Sequence, residues 1–110
     1  MNAATVCNLA KATRSGAIAF PTIVGQLIAE GVEFYHVDYI RLQFAFYDAT
    51  GAVVVAPLTI ENLPAVAADF DNAALRAAIL DSQHNGQNFN QFCTRAMLAG
   101  VQGYFAFLRG

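Results

Sequence analysis

Residues 32–56 read VEFYHVDYIRLQFAFYDATGAVVVA, and this stretch decides the fold class. Val32–Asp38 is rich in β-branched and aromatic residues, and Leu42–Tyr47 alternates large apolar residues with smaller or polar ones. Alternation with a period of two is typical of a strand with one buried face. The turn Asp48–Gly51 ends in glycine and leads into Ala52–Ala56, which is apolar again. The stretch therefore predicts three consecutive strands, mostly antiparallel.

Helical periodicity occurs on both sides of this stretch. Four apolar stripes repeat at helical spacing: Val6, Leu9, Ala10 and Thr13; Ile23, Val24, Leu27 and Ile28; Ala74, Leu75, Ala78 and Ile79; Phe92, Cys93, Ala96 and Met97. With Gly103–Leu108 as a fourth strand, the pattern predicts an α+β fold. We expect about four helices packed on one face of a small, mostly antiparallel sheet of about four strands.

The ends of these helices carry their own signals. Pro21 suits a first helical turn, Asp71 suits an N-cap, and Asn88 with Gln91 three residues later is typical of a capping box. Glycines at helix ends predict left-handed C-cap positions: Gly16, Gly31 and Gly100, with Asn85–Gly86 ending the third helix. Asp81, Ser82 and His84 lie too close along one helix end to act as a catalytic triad.

An internal repeat emerges when the chain is compared with itself at an offset of 69 residues. The identical positions are Phe20, Gly31, Val32 and Tyr35 in the first copy, and Phe89, Gly100, Val101 and Tyr104 in the second. Residues 2–38 and 71–107 both read helix, helix, Gly-Val, strand. We therefore expect a single domain, 1–110, in which the strand pair 42–56 is added after the first copy.

Composition restricts the class of protein. Of the 110 residues, 56% are hydrophobic and 13% are charged, against typical values of about 45–50% and about 25%. This excludes a disordered chain and favours one that associates. The net charge is −2 and the arginines are scattered, so no nucleic-acid partner is expected.

The cysteines and the apolar runs restrict the compartment. Cys7 and Cys93 are far apart and lack the spacing of a metal site, so neither a metal nor another cofactor is expected. The chain has no run of 18 apolar residues and no signal-peptide pattern at its start, so we expect no membrane partner. These features predict a cytoplasmic protein.

One polar group has acid–base potential. If Asp38 and Arg41 flank a two-residue hairpin loop, His36 lies opposite Gln43, and these four residues form a cluster on one sheet face. The other face would then carry Tyr35, Val37, Leu42, Phe44, Phe46, Val53 and Val55. The polar cluster could act as a general base beside an anchored small acid. It could equally be a solvated face whose ion pair contributes less than about 1 kcal/mol, and we assign no catalytic residue.

One segment resembles a small bacterial family of uncharacterised proteins labelled phage envelope protein. The resemblance lies in the spacing of Gly31-Val32, Tyr35, Val37-Asp38 and Arg41, and in the strand, turn and strand that follow. The resemblance covers roughly residues 16–108. It implies membership of that family and a prophage origin, and it implies no activity. The chain departs from the family where the second copy carries Phe105 and Phe107 in place of His36 and Asp38.

The fourth strand predicts a homodimer. Gly103–Leu108 corresponds to the first strand of the repeat, but no strand follows it with which it could pair. Its two faces are both apolar, with Tyr104 on one side and with Phe105 and Phe107 on the other. Antiparallel pairing with a second chain would satisfy such an edge. Alternatively, the connection Pro57–Phe70 covers it within the monomer.

These observations favour a small, non-enzymatic, self-associating module, prophage-encoded, that binds a protein or a small ligand. The alternative is a small enzyme or small-acid-binding protein that uses His36, Asp38 and Arg41.

Overall fold

The structure, a computed structural model, describes residues 1–16, 18–84 and 88–108, with the backbone alone for Gln83 and His84. Its elements, in chain order, are α1 (Ala3–Ser15), α2 (Phe20–Ala29), β1 (Val32–Asp38), β2 (Gln43–Asp48), β3 (Val53–Pro57), α3 (Asn72–His84), α4 (Phe89–Leu98) and β4 (Gly103–Phe107). The α+β class is confirmed. The chain divides into two units, one formed by Met1–Thr59 with the segment from Gly103, and the other by Ile60–Gln102.

The first unit is built on a four-stranded sheet in the order β3-β2-β1-β4, in which every neighbouring pair is antiparallel. In this unit α1 contacts β3 and α2 contacts β1. Side chains from helices and strands form its buried core: Val6, Leu9, Ala10, Ile23, Leu27, Val32, Tyr35, Val37, Phe44, Phe46 and Ala56. Each large apolar side chain buried here contributes roughly 1.5–3 kcal/mol. We call the sheet face that carries Tyr35, Val37, Phe44 and Phe46 the inner face.

The predicted inner face is wrong for β3. Across the β2–β3 pair, Phe46 faces Val54 and Phe44 faces Ala56. Val53 and Val55 therefore point to the opposite face, where they are 48% and 53% exposed. Three consecutive valines carry no alternation, so the turn before them decides the register.

That turn is organised by Asp48. Its Oδ1 accepts hydrogen bonds from the backbone N–H groups of Thr50 and Ala52, and its own N–H donates to the carbonyl of Ala52 at 3.2 Å. Gly51 has a φ of 85°, which is a left-handed conformation that glycine adopts without strain. Ala52 is thereby fixed opposite Asp48, and the face of every following residue in β3 is set.

The β1–β2 hairpin also differs from the prediction. Asp38 pairs with Gln43 and not with Arg41, so the loop has four residues, Tyr39–Leu42. Leu42, which was predicted on the inner face, lies in this loop with a φ of 55° and is 42% exposed. The longer loop is stabilised by Asp38, whose Oδ1 accepts the N–H groups of the second and third loop residues at 2.9 Å.

The second unit contains α3 and α4, which contact each other. The predicted capping box of Asn88 and Gln91 is confirmed, and Asp71 accepts the N–H of Ala74 at 3.0 Å. The apolar stripe of α4 is buried at Cys93, Ala96 and Met97. The stripe predicted for α3 is largely wrong, because only Ala78 is buried and Ile79 is 40% exposed. The predicted helix end at Asn85–Gly86 lies outside the described residues.

The order helix, helix, strand occurs twice, and the helix bounds repeat at the predicted offset. Ala3–Ser15 and Asn72–His84 begin 69 residues apart, as do Phe20–Ala29 and Phe89–Leu98. The glycines after α2 and α4 have φ values of 88° and 85°. Duplication as the origin of this order, and the single domain 1–110, stay predictions. None of the described helices combines the length and the apolar character needed to cross a membrane.

Candidate functional site

The outer face of the sheet, opposite the inner face, is the most unusual surface of the first unit. The register places these residues on it: Phe34, His36 and Asp38 of β1; Gln43, Ala45 and Tyr47 of β2; Val53, Val55 and Pro57 of β3; Gly103, Phe105 and Phe107 of β4. Phe105 and Phe107 are 57% and 65% exposed. A sheet face open to water normally carries polar residues. Here it is mainly apolar.

Aromatic rings connect three strands of this face. The ring of Phe34 on β1 stacks on that of Tyr47 at 4.7 Å between centroids and lies 5.4 Å from Phe107. The imidazole of His36 lies 4.5 Å from the ring of Phe105. We call these five residues the aromatic patch. The four-residue hairpin loop brings Phe34 opposite Tyr47, and the two-residue loop expected from the sequence would not have done so.

The predicted polar cluster is only partly assembled. His36, Asp38 and Gln43 share the outer face, and Asp38 is directly opposite Gln43. Arg41 lies in the exposed loop and donates its backbone N–H to Asp38. In the described part of the chain, no hydrogen bond joins His36 to Asp38. The carboxylate therefore caps the loop, and it does not orient the imidazole as an acid–base pair would require.

The electrostatics of Asp38 follow from this capping. The pKa of its carboxyl group is lowered from the usual 3.8, first by the hydrogen bond from the Arg41 N–H. The N–H of Ile40 and the charges of His36 and Arg41 lower it further, and desolvation opposes them. Because the folded chain binds this proton more weakly than the unfolded chain does, ionised Asp38 stabilises the fold above about pH 4. That contribution is lost as the pH falls through the folded pKa.

We expect Asp38→Ala to lower the free energy of unfolding by roughly 0.5–1.5 kcal/mol at neutral pH, because two loop N–H groups lose their acceptor. Asp38→Asn keeps an acceptor oxygen, so its free energy of unfolding at neutral pH should stay close to that of the parent. It should lack the part of the parent's loss of stability at acidic pH that comes from protonation of Asp38. Urea denaturation of both variants and the parent, at neutral and at acidic pH, measures the difference. An alanine variant as stable as the parent at neutral pH would contradict the capping role.

The open edge of β4 is defined by its pairing with β1. Leu108 donates its N–H to the carbonyl of Glu33 at 3.0 Å. Because inward and outward backbone groups alternate in an antiparallel pair, Gly103, Phe105 and Phe107 direct their N–H and C=O groups away from β1. Within the described residues, these outward groups have no hydrogen-bond partner. Two strongly exposed phenylalanines thus lie on an unpaired edge.

The opposite edge of the sheet, on β3, is partly obstructed. The N–H of Leu58 donates to the carbonyl of Leu42 at 2.8 Å, so Val55 and Pro57 direct their backbone groups outward. Pro57 has no N–H, and the Sγ of Cys7 on α1 lies 4.0 Å from the carbonyl oxygen of Val55. Proline and a covering helix are common ways to block an edge strand. The edge of β4 has neither proline nor lysine.

The three residues predicted at a dimer interface have different positions. Phe105 and Phe107 lie on the outer face beside the open edge. Tyr104 points to the inner face, opposite Val37, with its ring 6.1 Å from that of Tyr39. The alternation of the strand was visible in the sequence. Its position at the end of the sheet depends on pairing with β1, a partner more than 60 residues earlier.

Fold and site together define an α+β protein with an exposed, aromatic sheet face beside the edge strand β4. The chain matches no protein-family model, and it has no match among curated proteins. In the described residues, no group of three or more His, Cys, Asp or Glu side chains is arranged to hold a metal ion.

Proposed function

We propose that the protein is a small self-associating interaction module, in which two copies join through the open edge of β4. One observation carries the proposal: the outward backbone groups of β4 lie beside Phe105 and Phe107, which are 57% and 65% exposed. Unpaired backbone groups on an apolar edge form a template for another strand. An identical strand satisfies both edges at once about a two-fold axis.

The size of this surface suits a modest dimer. Two exposed rings from each copy bring on the order of 400–500 Å² of apolar surface together, and the paired backbones add to it. The rings alone supply less than half of the about 1,200 Å² at the low end of the specific range, so the interface belongs with weak, transient ones. We therefore expect association that depends on protein concentration.

Two finer points belong to the same proposal. The resemblance of Gly31–Arg41 to the phage envelope family supports a prophage origin and assigns no activity. The free cysteines, Cys7 and Cys93, are compatible with a cytoplasmic location. The alternative reading, a small enzyme or acid-binding protein, has no hydrogen-bonded pair of His36 and Asp38 to support it.

Substitution on the outer face tests the dimer. We expect Phe105→Lys and Phe107→Lys each to weaken dimerisation by about tenfold or more, which corresponds to ~1.4 kcal/mol, because a charge would replace an apolar contact at the interface. Val55→Lys is the matched control, since Val55 is 53% exposed on the same face but lies on the opposite edge strand, β3. Sedimentation equilibrium over a concentration series measures all three variants against the parent.

A parent chain that remains monomeric throughout the series would overturn the proposal and would favour an edge that is satisfied within one chain. A dimer that survives both phenylalanine substitutions, or that Val55→Lys weakens equally, would place the interface elsewhere.

A further inference from the structure

β4 begins with Gly103, a residue that cannot be replaced by one with a side chain, and this bears on which residue of a second strand lies opposite it. A side chain on Gly103 is excluded, because a Cβ atom there would stand 2.6 Å from the carbonyl oxygen of Val37 and 3.0 Å from Nε2 of His36. The imidazole of His36 thus covers Gly103 on the outer face, while its centroid lies 4.5 Å from the ring of Phe105. At this end of the edge, Gly103 has no side chain of its own and the imidazole of His36 lies against it.

We infer that the two-fold axis of the dimer passes beside Phe105, so that this residue lies opposite its own copy and the partner's Phe107 lies opposite Gly103. The inference rests on the proposed function and specifies its register. The occupant of the edge is a second copy of this chain.

The backbone supports this register. Symmetric antiparallel pairs of β4 can be centred on Tyr104, Phe105 or Ala106. Only the pair centred on Phe105 places Gly103 opposite Phe107 and gives every outward N–H and C=O group of the strand a partner. A shift of one residue in either direction leaves the outward groups of Gly103 or of Phe107 unpaired.

The side chains support the same register. With the axis at Phe105, the ring of the partner's Phe107 extends over Gly103, beside the imidazole of His36. An aromatic ring placed across the strands from a glycine compensates for its missing side chain. His36 would then lie between Phe105 of its own chain and the partner's Phe107. In the register centred on Ala106, no phenylalanine lies opposite Gly103. In the register centred on Tyr104, the partner's Phe105 lies there, but the outward groups of Phe107 are then unpaired.

The arrangement also disfavours the addition of a third copy. Joining two β4 strands gives one continuous sheet whose outer edges are both β3. On those edges Pro57 has no N–H and Cys7 of α1 lies against the carbonyl of Val55, so a third copy would meet an edge with fewer available backbone groups and without phenylalanine.

A cysteine scan along β4 measures the register directly. In a Cys7→Ser background, where the remaining Cys93 is buried, single cysteines replace Tyr104, Phe105, Ala106 or Phe107. With the axis at Phe105, its two Cα atoms lie about 5.5 Å apart, within the range for a disulfide. The copies of the neighbouring positions would be separated by roughly 7–8 Å, and those of Phe107 by ~13 Å.

We expect the disulfide-linked dimer of Phe105→Cys, formed under mild oxidation, to exceed that of the other three variants roughly tenfold. Preferential cross-linking at Tyr104 or Ala106 would overturn the register and leave the dimer intact. Absence of cross-linking at all four positions, in variants that sediment as dimers, would overturn both the register and the strand pairing. A monomeric parent would instead overturn the proposed function.

Amide hydrogen exchange on the unaltered chain covers the case in which Phe105→Cys dissociates the dimer. We expect the amides of Gly103, Phe105 and Phe107 all to slow at least tenfold as the protein concentration rises, because each donates across the interface. If the amide of Gly103 or that of Phe107 keeps its monomer rate while Phe105 slows, the axis lies elsewhere.

Discussion

Gly100→Ala is expected to lower the free energy of unfolding by roughly 2–5 kcal/mol. The residue has a φ of 85°, which an L side chain adopts only with strain. A Cβ atom there would also collide with the carbonyl oxygen of Asp69 and stand 2.9 Å from the Cα of Phe70. These are backbone atoms, so the segment before α3 would have to move. That segment is held by the hydrogen bond from the N–H of Asp71 to the carbonyl of Ala99.

Two other glycines provide the controls. Gly31 ends α2 with a φ of 88°, but nothing lies within 4 Å of the added atom. Gly31→Ala should therefore cost only the conformational strain, about 1–2 kcal/mol. Gly25 lies inside α2 with open space around it, and alanine there should stabilise by about 0.5–1 kcal/mol. Urea unfolding at a fixed protein concentration compares the three, and equal effects at Gly100 and Gly31 would refute the close approach to Asp69.

Phe46→Ala is expected to lower the free energy of unfolding by about 3–5 kcal/mol, because it removes a large side chain from a packed core. Phe46 is 2% exposed, and its ring lies 5.5 Å from that of Tyr35 and 5.6 Å from that of Phe44. Phe20→Ala is the matched control in the same unit. Its side chain is 49% exposed on the first turn of α2, so the change should cost no more than about 1 kcal/mol.

Thermal and urea unfolding monitored by circular dichroism measure the two phenylalanine variants against the parent. Comparable destabilisation by both would show that Phe46 does not lie on the buried face of β2. The register of that strand, and with it the placement of the aromatic patch on the opposite face, would then be wrong.

The candidate site was partly visible in the sequence. The alternation in Val32–Asp38 put His36 and Asp38 on one face, and the structure keeps them there. The stack of Phe34 on Tyr47 was not predicted, because it depends on two further residues in the hairpin loop. Two local features argue against a two-residue turn at Tyr39–Ile40: Tyr-Ile is a poor pair for such a turn, and Asp38 can accept the N–H groups of a longer loop.

Helix starts and stops were determined by the sequence itself. Pro21 in a first turn, the capping box of Asn88 with Gln91, and the left-handed glycines at Gly31 and Gly100 all occur as predicted. Each depends on sterics and hydrogen bonds within about four residues, which are encoded locally. The α+β class follows from the same local signals.

Only the tertiary structure decided which side chains face the core on β3 and α3, and which strand edge stays open. Val53 and Val55 are exposed because a distant pairing and the Asp48 turn set their register. β4 ends the sheet because it pairs with β1, far away along the chain. The apolar faces of a strand and the apolar stripe of a helix can be read from the local sequence. Which of these surfaces becomes buried depends on the strands and helices that pack against it, and those elements lie far away along the chain.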